Sequence, residues 1–100
     1  MKKETQAFDC LAVTNVNVVV FKAKAKIGHL LGLAEVALND QLIIRGLRIV
    51  DSEYGPYVGY PVDPFWKGED FRSLVQPISA SLRQHIEACV LEKYQEKIAE

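Results

Sequence analysis

The sequence predicts an α+β domain: an antiparallel β-meander of four to five strands followed by one long C-terminal helix packed on one face of the sheet. Three observations carry this reading. Between Leu11 and Tyr60, valine-, leucine- and isoleucine-rich runs of strand length are separated by Gly28, by Asn39-Asp40 and by Gly55, residue types that tolerate the backbone of tight turns. An irregular Pro/Gly connection follows, from Pro61 to Pro77. Beyond Pro77 the apolar residues change their spacing to three and four, the period of a helix face.

From Leu11 to Phe21 the chain is rich in valine, and β-branched side chains suit a pleated strand. Strict alternation places Leu11, Val13, Asn15, Asn17 and Val19 on one face and Val16, Val18 and Val20 on the other. Lys22, Lys24 and Lys26 then alternate with Ala23, Ala25 and Ile27. They form a one-sided lysine ladder if the strand continues, or decorate a hairpin loop near Gly28 if it ends. Leu30 to Leu38 is the second strand, and Asn39-Asp40 turns it into a third, Leu42 to Asp51. Alternation in that third strand groups Ile43, Leu47 and Ile49 against Leu42, Ile44 and Val50. A strand apolar on both faces belongs inside a sheet or at a subunit interface. Gly55 turns the chain into Tyr57 to Tyr60, and a short fifth strand is expected around Phe65 to Phe71. Ser79 or Ser81 caps the helix, Ser81 with Gln84 matching a capping box. Leu82, Ile86, Cys89, Val90 and Tyr94 form its apolar stripe, widened by Leu91 and Ile98.

The 100 residues contain no glycine- or serine-rich linker, so residues 1–100 read as one domain with residues 1–9 as an N-terminal extension. The 49% hydrophobic and 25% charged content is that of a globular chain. A domain this small, with strands apolar on both sides, gains from burying surface against a second subunit. The formal net charge of −1 argues against coating nucleic acid by bulk charge, so any such binding must be local. Cys10 and Cys89, far apart and in apolar surroundings, read as buried free thiols of an intracellular protein. The N-terminus lacks the pattern of a signal peptide, and no run reaches the ~18 apolar residues of a membrane helix. A cytoplasmic protein without membrane insertion is expected.

Catalytic residue types are sparse, and no enzyme is expected. His29 and His85 are isolated, and no Cys/His spacing resembles a zinc ligand set. Ser81 and His85 lie four apart on the helix, but no acid is placed to orient the imidazole. Gly28 and Gly32 are not followed by the Lys-Ser/Thr of a phosphate loop. No cofactor or metal is implied. What remains is binding surface. Six of the nine aromatics lie between Tyr54 and Phe71, with Lys67 and Arg72 among them. Rings interleaved with cations can stack bases and hold phosphates of single strands, which makes Tyr60, Phe65 and Trp66 candidate stacking or docking residues; the tyrosines can equally be core or dimer interface. Arg83 falls in the first helical turn, where the dipole and free N–H groups already favour an anion. The lysine ladder can serve phosphate binding or protect a strand edge from unwanted pairing.

The ordered pattern Val13-Thr14, Val16, Arg48, Gly55, Val58, Pro61, Gly68, Phe71-Arg72, Pro77-Ile78, Ser81, Arg83, Ile86, Val90-Leu91 and Tyr94 resembles the SpoVG (stage V sporulation protein G, septation protein) family. The resemblance implies an antiparallel sheet with a C-terminal helix, assembled as a dimer. It also implies binding to DNA and RNA through basic residues around the helix, here Arg83 and Arg72. The chain departs from the family where members often carry arginines, at Asn17, Val19 and Val20. It departs again at Asp63-Pro64, where they carry a basic pair, and at His85, where they carry lysine. The Lys22, Lys24, Lys26 segment is extra and relocates positive charge. The expectation is a dimeric nucleic-acid-binding regulator tied to septation or sporulation, using Arg83, Arg72, Lys67, Lys22, Lys24 and Lys26. The alternative is a protein-interaction module of the division or developmental machinery, docking through the Tyr54 to Trp66 surface or an exposed sheet edge.

Overall fold

Leucine, valine and isoleucine crowd residues 30–50, and they pair as the two central strands of one sheet. A computed structural model describes residues 10–22 and 28–100. Its elements are β1 (Val13–Val20), β2 (Leu30–Leu38), β3 (Leu42–Val50), β4 (Tyr57–Gly59) and α1 (Ala80–Ile98), an α+β fold. The strands form a four-stranded antiparallel sheet in the order β1-β2-β3-β4, a plain meander. Asn39 and Asp40 both take positive φ, and Gln41 N–H donates to the Leu38 carbonyl, a primed turn whose twist suits a hairpin. The Asn39 side chain also accepts from Ala12 N–H and donates to the Cys10 carbonyl, so the turn holds the entry to β1. Gly55, at φ 104, and the Ser52 hydroxyl close the turn before β4.

The core lies between one sheet face and α1. Val36, Leu47, Ile49, Ile86 and Val90 are its largest fully buried side chains, joined by Val18, Ala34, Leu38, Val58 and Tyr94. Burying each such side chain contributes about 1.5–3 kcal/mol, and helix stability comes from this packing more than from propensity. α1 packs closest to β1 and reaches β4 as well. His85 reinforces the β1 contact, its Nε2 accepting from Val13 N–H at 3.0 Å. That bond needs an unprotonated Nε2, so the proton of the neutral ring sits on Nδ1.

Three bulges correct the strict alternation expected from sequence. An extra residue sits at Thr14 in β1, at Leu31 in β2, and at Arg45-Gly46 in β3, opposite the single residue Glu35. Each shifts the two-residue period by one. Val13 therefore joins Val16, Val18 and Val20 on the core face instead of siding with Asn15 and Asn17. In β3, Ile44 packs with Leu47 and Ile49, whereas Ile43, expected among them, is exposed on the opposite face.

Other expectations are corrected as well. The fifth strand around Phe65 to Phe71 does not form: the segment curls through turns, and its pairing shrinks to one bridge between Val62 and Ser73. Pro64 lacks a donor, and the Asp63 side chain captures the Phe65 N–H, which prevents a ladder there. β1 ends at Val20, so no strand carries the ladder as far as Lys22. Lys24 and Lys26 lie outside the described residues. The helix cap is Ser79, whose hydroxyl accepts from Leu82 N–H; Ser81 lies inside the first turn with its hydroxyl 2.9 Å from that of Ser79. Cys10 is exposed and Cys89 half-buried, both free, rather than fully buried. No helix among the described residues is long and apolar enough to cross a membrane.

The β3 bulge rests on Gly46, at φ 84, where an added Cβ meets only Pro61 at 3.6 Å. Space is available there, so the cost of Gly46→Ala is backbone strain alone, about 1–2 kcal/mol. Urea denaturation should show the unfolding free energy falling by that amount, as a lower midpoint at constant m-value. An unchanged midpoint would mean the bulge does not depend on glycine.

Candidate nucleic-acid interface

Two basic sites lie along the chain from the end of β4 into the first turn of α1. The first is the helix start. α1 is 19 residues long and has no acidic residue in its first turn. Leu82 N–H is spent on the Ser79 cap, and Arg83 N–H closes the first helical bond to the Ser79 carbonyl at 3.0 Å. The Arg83 guanidinium is exposed and makes one weak bond, 3.4 Å, back to the Pro77 carbonyl. Among the described residues no ion pair includes it; neither Asp70 nor Glu87 closes on it.

Beside it, Tyr60 donates its hydroxyl to Glu87 at 3.3 Å. Burial, then Glu87, raises the Tyr60 phenol to about 12, while Arg83 pulls the other way. Tyr60 is half-buried and packs on the core. Of the three stacking candidates only Phe65 and Trp66 are exposed. None of the six aromatics from Tyr54 to Phe71 is buried in this chain; among the described residues the buried ring is Tyr94.

The second site is an arm, residues 61–74, closed by Asp63 N–H on the Arg72 carbonyl and Leu74 N–H on the Pro61 carbonyl, each 2.7 Å. Arg72 Nη2 pairs with Asp63 Oδ2 at 3.0 Å, and its guanidinium lies over the Trp66 ring, 4.3 Å from the centroid. Such stacking on indole adds to the ion pair. Gly68 backs onto the same ring: an added Cβ would stand 2.5 Å from Trp66 Cζ2. The Phe65 N–H first, and Arg72 second, hold the Asp63 carboxyl below its ordinary 3.8. Lys67 is exposed near the tip of the arm.

The sequence candidates are thus separated. Arg83 and the arm adjoin through residues 74–78. Lys22 lies past the far end of β1, while Val13 at its near end touches His85; at 3.3 Å per residue the span is roughly 30 Å. Sequence reasoning missed the Tyr60–Glu87 pair and the Asp63–Arg72 closure. The one sequence signal for Asp63–Arg72 is opposite charge nine residues apart across a turn-rich segment, which many unpaired residues share; Tyr60 and Glu87, 27 residues apart, carry none. Among the described residues no cluster of His, Cys, Asp and Glu could hold a metal, and burial together with Glu92 raises the Cys89 thiol instead of activating it.

Residues 9–96 match the SpoVG family. The chain belongs to the SpoVG family. A relative named "Putative septation protein SpoVG" from Aster yellows witches'-broom phytoplasma (strain AYWB) is 30% identical over 86 residues, covering 86% of this chain and 83% of its own length. A protein of the same name from Fusobacterium nucleatum subsp. nucleatum is 34% identical over 84 residues, 84% of this chain and 88% of its own.

Within the SpoVG family pattern, the departures have local explanations. Asn17 donates to Glu35, which also pairs with Arg45, so the open sheet face is internally neutralised where arginine is usual. Val20 faces the core. Asp63 replaces a basic residue and offsets Arg72. His85 accepts a backbone hydrogen bond that a lysine cannot.

A carboxyl depressed in the folded state stabilises above its unfolded pKa, and that contribution is lost as pH falls through the depressed value. The arm should therefore stay closed from neutral pH down to about pH 4, and open as pH falls further, through the depressed value. Trp66 is the only tryptophan, so its emission reports this directly. Asp63→Asn should give, at neutral pH, the emission and acrylamide quenching that the native chain reaches only in acid. Identical quenching in the two proteins would show that Asp63 does not hold Arg72 over the ring.

Proposed function

We propose that this SpoVG-family chain is a dimeric nucleic-acid-binding regulator acting in the septation process for which its relatives are named, and a binder rather than an enzyme. The single observation that carries the reading is Arg83: an exposed guanidinium without an ion pair among the described residues, in the first turn of a capped helix with no acidic residue in that turn. A phosphate placed there meets the helix dipole and a fork-shaped donor together. Lys22, which lies past the far end of β1 and is followed in sequence by Lys24 and Lys26, supplies further positive charge, suited to phosphates further along the strand. Arg72 contributes less, because Asp63 already offsets its charge. Contacts of this kind give affinity and orientation but little sequence information. A second reading, a protein-interaction module of the division machinery, is favoured by the exposed Phe65, Phe71, Leu74 and Ile78.

Fluorescence anisotropy of labelled single- and double-stranded DNA and RNA at several salt concentrations separates the two. Binding should weaken steeply with salt, and Arg83→Ala should make the log–log slope shallower by about 0.7–0.9, the share of one phosphate contact. The triple Lys22/Lys24/Lys26→Ala variant should lower the slope further. Absence of binding to every probe at low salt would remove the regulator and leave the interaction module.

A further inference from the structure

Ile78 is 96% exposed, Phe71 75% and Leu74 63%, all within eight residues of one another and directly before the helix. Ile78 precedes the Ser79 cap, the position from which a hydrophobic residue usually staples onto the fourth helical residue. That residue is Arg83, so the staple has no apolar partner within the chain. Beside this segment, an apolar pocket of about 140 Å³ opens between the sheet and α1, lined by Leu11, Leu38, Leu42, Ile44, Val75 and Leu82. A hollow of this size accommodates one aromatic or branched side chain. Projecting apolar residues and an apolar hollow thus lie next to each other on one surface.

We infer that residues 71–78 and the adjoining pocket form the contact by which two copies of this chain associate. The inference rests on the dimer in the reading above and assigns its surface. A two-fold contact places the same patch on both subunits, so each must offer both projection and hollow, and this surface offers both. The exposed portions of Phe71, Leu74, Val75 and Ile78, together with Phe65 and Trp66 of the adjoining arm, amount to roughly 700–850 Å² per chain. A stable interface takes about 800 Å² per partner, so the stretch and the arm together can supply most of it. Between Phe71 and Ile78 the one charged residue is Arg72, already paired with Asp63, and charge depletion with a polar rim is the composition of an interface centre. The open sheet face differs. Its exposed Val19, Leu33 and Ile43 are interleaved with Asn17, Glu35 and Arg45, which bond to one another and suit solvent.

The test is sedimentation equilibrium of the full chain, with Leu74→Asp, Ile78→Asp and, on the open sheet face, Val19→Asp. The native chain should sediment at twice its 11.2 kDa mass. Leu74→Asp and Ile78→Asp should each raise the dimer dissociation constant on the order of 100-fold, while Val19→Asp leaves it unchanged. Ile78 is exposed enough that its substitution leaves the fold of one chain intact, and far-UV circular dichroism of each variant checks this. A native dimer indifferent to both Leu74→Asp and Ile78→Asp would overturn this surface and leave the dimer standing. A monomer at all concentrations would overturn both. Nucleic-acid binding is read separately by anisotropy, so its absence does not touch the assignment.

Discussion

The burial of one sheet face under α1 is the constraint on which the rest of the molecule depends. A pleated strand shows its side chains to alternate sides, so one residue gained or lost exchanges the whole set. The bulges at Thr14, Leu31 and Arg45-Gly46 gather Val13, Val16, Val36, Ile44, Leu47 and Ile49 on the face that Ile86 and Val90 cover. With that face filled, the position of α1 is set, and with it the position of the helix start and of everything that Arg83 can reach. His85 pins the same helix to the edge strand from outside the core. No buried side-chain polar atom among the described residues is left without a partner, which agrees with a core that holds no polar or charged residue among them.

The electrostatics follow from this frame. A chain of net charge −1 has no general attraction for phosphate, and two of its four arginines are held in ion pairs, Arg45 with Glu35 and Arg72 with Asp63. Arg48 lies across Gly59 and donates to the Tyr60 carbonyl, holding the exit of β4. Arg83 is the contrast. It stands where the helix already presents positive potential, and the nearest acid in sequence, Glu87, is occupied by the Tyr60 hydroxyl. The arm and the residue 71–78 stretch connect β4 to the helix that carries this arginine, so an association of two chains through that stretch would bring two helix starts into one assembly.

Much of this was legible in the residues. The strand boundaries of β2 and β3, the Asn39-Asp40 turn, the Gly55 turn and the single long helix follow from turn chemistry and from the change of period after Pro77. The family resemblance drew on the same positions. The phase within β1 and β3 was not legible, because a strand apolar on both sides gives alternation nothing to distinguish the faces. Gly46 inside such a strand was the available sign of a bulge. The fate of Phe65 to Phe71 was also hidden: their aromatic, β-prone composition was overridden by Pro64, by the Asx turn at Asp63 and by the Arg72–Trp66 stack, contacts that no local pattern announces. Position at the helix start was readable for Arg83; its freedom from acidic partners required the fold.

The central claim is that phosphate is held at the start of α1. The most direct measurement is a set of ¹H–¹⁵N correlation spectra of the labelled protein during titration with a short single-stranded oligonucleotide. The account predicts the largest shifts at the backbone amides of Ala80 to Arg83, smaller ones near Lys22, and none at Val19, Leu33 and Ile43 on the open sheet face. Shifts centred on the open sheet face, with the amides of residues 80–83 unmoved, would contradict it.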